Sequence, residues 1–496
     1  MKKFSMRVVL IISVLFIAFG SANVSIAQER DTANKLPEVE LGSLDTSNII
    51  AEEVAQDKPA EVENLEEVPT TDELMQNPDV LEQPVADSDD TDLTVVSSGA
   101  YWTIYRNTVN NEYSLRMFGN VPSSKPSAWN SYLNRIKHIE IEEATLTGNF
   151  VYYFRGTVFP VLESVRIEQC NLSGVTSFDS AFYSSKTIKE VIIRDNDYPE
   201  APLLTNTNSM FYTCSNLSKV DVSGLNTSSV TDMAYVFADA TSLKELDLSN
   251  FDTSSVTTMR GMFANCTSLE ELDLSNFDTS SVTDMSSMFS AIAYNVDLSN
   301  FDTSSVTTMS SMFQRAEVKE LDVSSFDTSS VTDMQGMFGH STTLEKLDLS
   351  NFDTSAAKSL SRMFNNSVNL KSLYLDKFSG SANFTDMFSG IKSLEYLRIG
   401  PQFNYYNGLE NTKWYDEKNW VQFSSLSQLK TYNQQQSEPT GYRKGAFFSL
   451  TMDAMGGEFE DAEEQKVQNK VSGEYWDEIV PVKEDYYFDG WYLDQN

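Results

Sequence analysis

Along the middle of the chain, apolar and polar positions recur as a whole block rather than as a simple alternation. The block Phe251-Asp-Thr-Ser-Ser-Val-Thr-Thr-Met-Arg-Gly-Met-Phe263 returns at 277–289, 301–313 and 326–338, with worn copies at 225–237 and 352–364. Between copies lies a short apolar–acidic–apolar step: Leu246-Asp-Leu248, Leu272-Asp-Leu274, Val296-Asp-Leu298, Leu321-Asp-Val323 and Leu347-Asp-Leu349. The closing residues Phe211, Phe237, Phe263, Phe289, Phe313, Phe338, Phe364 and Phe388 recur at roughly 25 positions. A fixed period of that length predicts a solenoid, with one supersecondary unit per coil.

Each part of the unit has a local reading. Leu272-Asp273-Leu274 alternates, so it predicts a short strand with both leucines inward and Asp273 outward. Phe277 turns back inward, and Asp278-Thr-Ser-Ser281 favours a turn, because these side chains bond their own backbone. Thr283-Asp284 suits a helix start, with Met285, Met288 and Phe289 at i, i+3 and i+4 on one face. The expected unit is therefore strand, turn and a helical turn or two, an α/β repeat. One unit alone has nothing to bury its Leu, Met and Phe against, so stability must come from neighbours. Each buried Leu or Phe contributes about 2 kcal/mol. At about 4.8 Å per coil, nine or ten coils would make a curved rod of roughly 45 Å, with both open ends capped.

The core Leu269-Glu-Glu-Leu272-Asp-Leu274 resembles a leucine-rich repeat, with Asn276 one position earlier than the usual asparagine. The full unit, with Asn-Phe-Asp-Thr-Ser-Ser-Val-Thr-x-Met and x-Met-Phe, resembles the BspA-like leucine-rich repeat of bacterial surface proteins over roughly residues 135–400. That resemblance implies an adhesin-like protein meeting host matrix proteins, other cells or mucosal ligands. It also implies a Trp-containing hairpin before the repeats and an aromatic segment after them.

The remainder divides by composition. Residues 1–27 read as a signal peptide: Lys2, Lys3 and Arg7, then the apolar run 8–19, then Ser25-Ile-Ala27 with cleavage expected after Ala27. Residues 28–98 are acidic, without aromatics and with scattered prolines, which predicts a disordered linker. Residues 99–160 form the expected N-terminal cap: a hairpin from Tyr101-Trp-Thr-Ile-Tyr105 and Tyr113-Ser-Leu-Arg-Met117, then the amphipathic stretch 128–136. The solenoid is expected over 161–400 and its C-terminal cap, with Trp414, Tyr415, Trp420 and Phe423, over 401–445. Residues 446–496 resemble the internalin-type B-repeat through Gly456-Gly457 and Gly490-Trp491-Tyr492, with Asp453-Ala-Met-Gly-Gly457 differing from the family's run at Met455. This resemblance implies a small mixed β, β-grasp-like module that acts as spacer or weak binder. There is no Leu-Pro-x-Thr-Gly motif or C-terminal apolar run up to Asn496, which leads us to expect release, non-covalent retention, or a native chain that continues beyond Asn496.

Charge narrows the partners. Formal net charge is 36 minus 72, or −36, which argues against nucleic acid and anionic membranes; membrane contact is expected only through the signal peptide during export. Cys170, Cys214 and Cys266 are too few for a disulfide framework and read as core thiols. The two histidines, His138 and His340, form no pair with a cysteine, and neither zinc spacing nor a phosphate-binding glycine loop is present. No cofactor or metal is expected; Asp278 and Asp284 lack the glycine and clustered carboxylates of a calcium loop. Carboxylates that recur in every coil are structural or surface features before they are catalytic acids. The outward column Asp221, Asp247, Asp273, Asp297, Asp322 and Asp348 has three open readings, a solubilising face, an acidic strip for a basic patch on a partner, or divalent cation binding. Asp247, Asp273, Asp297, Asp322 and Asp348 are taken as the candidate contact residues. The expected function is non-enzymatic binding of an extracellular protein or glycan at the cell surface. One rival is a structural cell-wall spacer; another is a glycan hydrolase using Asp416 and Glu417 beside Trp414 and Trp420.

Overall fold

The computed structural model describes residues 2–9, 92–198, 201–454, 465–472 and 486–493, with isolated positions between 459 and 481. The expected linker up to residue 91, residues 10–27 of the expected leader, and Gly456-Gly457 lie outside the described residues.

The repeat does stack into a solenoid, and its organising feature is a column of phenylalanines. Phe154, Phe182, Phe211, Phe237, Phe263, Phe289, Phe313, Phe338, Phe364 and Phe388 are all fully buried. Neighbouring rings lie nearly parallel, from 5.0 Å between Phe154 and Phe182 to 6.1 Å between Phe237 and Phe263. The eight closing phenylalanines thus form one ladder, extended by Phe154 and Phe182. Met259, Met285, Met309 and Met334 are fully buried beside it, as are Met262, Met288, Met312 and Met337.

The expected helical turn is absent, and the α/β description is corrected accordingly. Among the described residues the one α-helix is Leu426–Asn433, and Ser127–Trp129 is a 3₁₀ turn. Met285, Met288 and Phe289 do point inward together, but through a run of hydrogen-bonded turns. Residues 259–266 show the bookkeeping. The N–H groups of Met259, Gly261, Phe263 and Asn265 donate to carbonyls of Asp284, Ser286, Met288 and Ser290 in the next coil. Those of Met262, Ala264 and Cys266 donate three residues back, to Met259, Gly261 and Phe263. Arg260 N–H reaches Thr258 Oγ1. Every donor in the stretch is used, which a buried backbone requires. A helix would have turned its N–H groups beyond the first turn inward, i to i−4, and lost the alternate donors that join the coils. Positive φ at Ser287 (+56°) and Ala291 (+56°) also breaks any helical path.

Parallel bridges follow the same edge from Ser177 through Asn206, Asp232, Thr258, Asp284, Thr308, Asp333 and Ser359 to Asn383. On the other side of the coil, the strand step is hydrogen-bonded at both ends of the stack. Ile136–Asn149, Ser164–Glu168, Glu190–Arg194 and Lys219–Asp221 pair in parallel, and so do Lys346–Asp348, Ser372–Leu375 and Tyr396–Ile399. In the central coils the Leu-Asp-Leu steps alternate in and out as expected but are not assigned to strands.

Both ends are closed. At the N-terminal end, Leu93–Gly99, Trp102–Asn107 and Tyr113–Pro122 form an antiparallel sheet, and Tyr113–Pro122 then runs parallel to Ile136–Asn149. The first strand falls within the stretch read as the end of the linker. Trp129, fully buried, meets Trp102 edge-on at 5.9 Å. At the other end Thr440–Lys444 pairs antiparallel with Tyr396–Ile399, and Trp414–Asp416 and Val421–Phe423 extend the sheet. Beyond it, Phe447–Asp453 pairs with Gln465–Val471, and Lys2–Val9 lies between Phe447–Asp453 and Tyr486–Leu493. The β strands expected of residues 446–496 are present, but the sheet is completed by Lys2–Val9, from the stretch read as the signal peptide, rather than by 446–496 alone.

Candidate functional site: an acidic face on the central coils

Each candidate aspartate is exposed, and each is fixed by the residue two positions on. Oδ1 of Asp247, Asp273, Asp297, Asp322 and Asp348 accepts the N–H of Ser249, Ser275, Ser299, Ser324 and Ser350 at 2.9–3.0 Å. The column therefore does structural work as turn-forming residues, whatever else it does. These bonds favour the ionised form. The Ser249, Ser275 and Ser299 N–H groups hold Asp247, Asp273 and Asp297 below the ordinary aspartate value, and the Ser324 hydroxyl and then its N–H do so for Asp322. Asp247 and Asp297 pull weakly the other way on Asp273 by repulsion.

Five residues on, a second acidic column runs alongside. Oδ1 of Asp252, Asp278, Asp302, Asp327 and Asp353 takes the N–H of Ser254, Ser280, Ser304, Ser329 and Ser355. At Asp252, Asp278 and Asp302 the serine hydroxyl donates to the same oxygen at 2.6 Å. The sequence reading missed this second column as part of the face, although the same Asp-x-Ser spacing marks both.

What lies between the columns binds coil to coil. Asn276 Nδ2 donates to the carbonyls of Leu248 (3.0 Å) and Phe251 (2.9 Å) in the preceding coil, and Asn250, Asn300 and Asn351 do the same one coil apart. The asparagine that stands one position early thus makes an inter-coil ladder. Thr253, Thr279, Thr303, Thr328 and Thr354 are buried, and each hydroxyl donates to the carbonyl of the residue after the next coil's phenylalanine. The two acidic columns flank a rigid seam.

The face has limits. By strand register the position of the first column reads Arg116, Glu140, Arg166, Ile192 (buried) and Asp221 from the N-terminal side, and Asp348, Tyr374 and Arg398 on the C-terminal side. The first coils alternate sign: Lys137 bridges Glu112 and Glu163, Glu163 also meets Lys189, and Glu190 meets Arg166 and Lys219. In the central coils the outward position is aspartate each time, and no ion pair to these aspartates is seen among the described residues; Lys377 acts only at a distance, on Asp327 and Asp353. At the bridge edge the charge is diluted instead, with Asp232, Asp284 and Asp333 separated by Thr258, Thr308 and Ser359.

One groove opens beside the first column. Successive column phenylalanines are 26 residues apart from Phe211 to Phe289, but the next interval, 289 to 313, is 24. The shortened coil leaves a cleft of about 490 Å³ lined by Ala293, Asn295, Glu317, Val318, Lys319, Glu320 and Glu345. Three of its four charged residues are acidic.

Other candidates fall elsewhere. The three cysteines are free and buried, and Cys214 and Cys266 donate to the carbonyls of Phe182 and Phe237, as core thiols. His340 has φ +59°, in the place of Asn265 and Asn366; burial, then Arg315 and Arg362, keeps its pKa low. Asp416 is fully buried and saturated by Lys418 N–H, Asn419 N–H, Asn419 Nδ2 and Tyr432 OH. Glu417 pairs with Arg443 at 2.7 Å. Asp416 and Glu417 are therefore occupied in holding the cap, rather than set out as an acid and base pair. No group of three or more metal-ligating side chains is found among the described residues.

Residues 176–296, 205–320 and 290–397 match a family described as "Mycoplasma protein of unknown function, DUF285". No curated protein matches the sequence. Solved structures similar to the chain include a leucine-rich repeat protein from Eubacterium ventriosum, at 13% identity over 61% of this chain and 83% of that one, with a TM-score of 0.25. They also include the TLR13–ssRNA13 complex (10% identity, 57% and 54% coverage, TM-score 0.17) and the Toll–Spatzle complex of Drosophila (15%, 65% and 53%, TM-score 0.18). The solenoid assignment stands on the repeated coil contacts themselves.

Proposed function

We propose that the chain is an extracellular, non-enzymatic binding protein, adhesin-like in role, which presents the central acidic face to a basic patch on a protein or glycan ligand. The observation that supports this most is the pair of aspartate columns. They are fixed by backbone bonds, which favour the ionised form at residues such as Asp273 and Asp278, and they occur where the outward positions lose the ion pairs of the first coils. The turn bonds that fix the carboxylates also preorganise them, which lowers the ordering cost of recognition. The groove at Glu317, Glu320 and Glu345 would take a Lys or Arg side chain projecting from the partner. Export through residues 1–27 fits this role; cleavage after Ala27 would withdraw Lys2–Val9 from the C-terminal sheet.

The test is solid-phase binding of the full chain to fibronectin, fibrinogen, collagen and mucin at low and high salt. Saturable binding that weakens with salt is expected, since steering by exposed charge is screened over about 8 Å at physiological ionic strength. Absence of saturable binding across the panel would favour the stiff-spacer reading, in which the stack supplies length alone.

A further inference from the structure

The turn run of four successive coils carries a row of tyrosines that the acidic face does not use. Tyr152 and Tyr235 stand two residues before their column phenylalanines, and Tyr183 and Tyr212 one residue after theirs. Ring centroids are separated by 6.0 Å (Tyr152–Tyr183), 5.5 Å (Tyr183–Tyr212) and 5.8 Å (Tyr212–Tyr235). Tyr152 is 39% exposed and Tyr183 37%, so the row opens to solvent at its N-terminal end. At the other end Gly261, at φ +59°, makes room for the Tyr235 ring: a Cβ there would lie 2.4 Å from a ring carbon.

Guanidinium groups stand at both ends, Arg155 5.0 Å from the Tyr152 centroid and Arg260 5.7 Å from that of Tyr235. Lys125 lies over the Tyr153 ring at 4.3 Å; burial, then Arg155, lowers its pKa. Neither Arg155 nor Lys125 pairs with a carboxylate among the described residues, and Arg155 Nε has no acceptor there. The nearby acids are engaged: Asp179 accepts the Ser180 hydroxyl, and Asp239 accepts Asn265 Nδ2 and faces Lys186. In a chain of net charge −36, two neighbouring cations with no carboxylate partner among the described residues, beside the partly exposed rings of Tyr152 and Tyr183, fit an anionic ligand with flat apolar faces. A sugar ring offers such a face to tyrosine, and because the Tyr152 and Tyr183 rings stand at 90° to one another they would meet differently oriented sugars of a twisted chain.

We propose that the Tyr152–Tyr235 row binds an extended acidic polysaccharide, its sugar rings lying on Tyr152 and Tyr183 and its carboxylates or sulfates taken by Arg155 and Lys125. The site is separate from the aspartate columns and does not depend on them.

Affinity electrophoresis of the full chain tests this, in native gels containing polygalacturonate, dextran sulfate or neutral hydroxyethylcellulose. The buffer should be near physiological ionic strength, where a Debye length of about 8 Å screens repulsion from the distant aspartates. Retardation by at least one acidic polymer and not by the neutral one is expected. The double variant Y152A/Y183A should bind about tenfold more weakly at unchanged melting temperature, the scale of a lost aromatic stacking contact. R155Q, which leaves both rings in place, should weaken binding independently. No retardation by either acidic polymer would overturn the proposal. So would retardation that survives both variants, or equal retardation by the neutral polymer.

Discussion

Thr303 is 1% exposed, and its hydroxyl serves two groups of one residue in the next coil: it accepts the Asp327 N–H at 2.8 Å and donates to the Asp327 carbonyl at 2.9 Å. Valine has the same shape and neither capacity. Thr303→Val should therefore cost about 1–3 kcal/mol, and Thr303→Ser clearly less, as read from urea unfolding. The carboxylates set the acid limit of stability. Lys137 and then Lys189 pull Glu163 down to about 2, and serine donors depress the column aspartates. A group with a depressed folded-state pKa stabilises above its unfolded value and loses that contribution as pH falls through the folded one. The melting temperature should thus hold from neutrality to roughly pH 5 and fall between about pH 4 and pH 2. At this scale the inward leucines and phenylalanines and the outward aspartates were legible, because repetition marks them. The work of Thr303 and Asn276 was not: alone they look like turn formers, and their partners lie about 25 residues away in sequence.

The turn run is the element on which sequence and structure part. Spacing of Met285, Met288 and Phe289 matches one helical face, and all three are fully buried, yet the path between them passes through left-handed Ser287. Local periodicity reports which side chains are buried, not where the N–H groups go; here half of them go to the neighbouring coil. The phenylalanine ladder that fixes this arrangement should be sensitive at its middle. Phe263→Ala opens a void between Phe237 and Phe289 and should cost about 3–5 kcal/mol in denaturant melts.

For the whole molecule, a stack in which each coil bonds to its neighbours should tolerate loss of one coil and not loss of an end. Deleting residues 264–289 joins Phe263 to Ser290 in register and should leave a folded, cooperative protein. Deleting residues 93–122 uncovers Ile136–Asn149 and should give aggregation, read by light scattering. The capped solenoid was legible because the repeats and the changes of composition announce it. The edges of the acidic face were not, because they depend on which residue falls in register with the aspartates on degenerate coils, as Tyr374 and the buried Ile192 do. The most direct test of the account is to change Asp247, Asp273, Asp297, Asp322 and Asp348 together to asparagine in the full chain. Asparagine can still accept each serine N–H, so the fold is preserved while the charge is removed. The account predicts an unchanged melting curve and a loss of salt-sensitive binding to the matrix protein that the parent chain binds. Binding of undiminished affinity and salt dependence in that variant would contradict it.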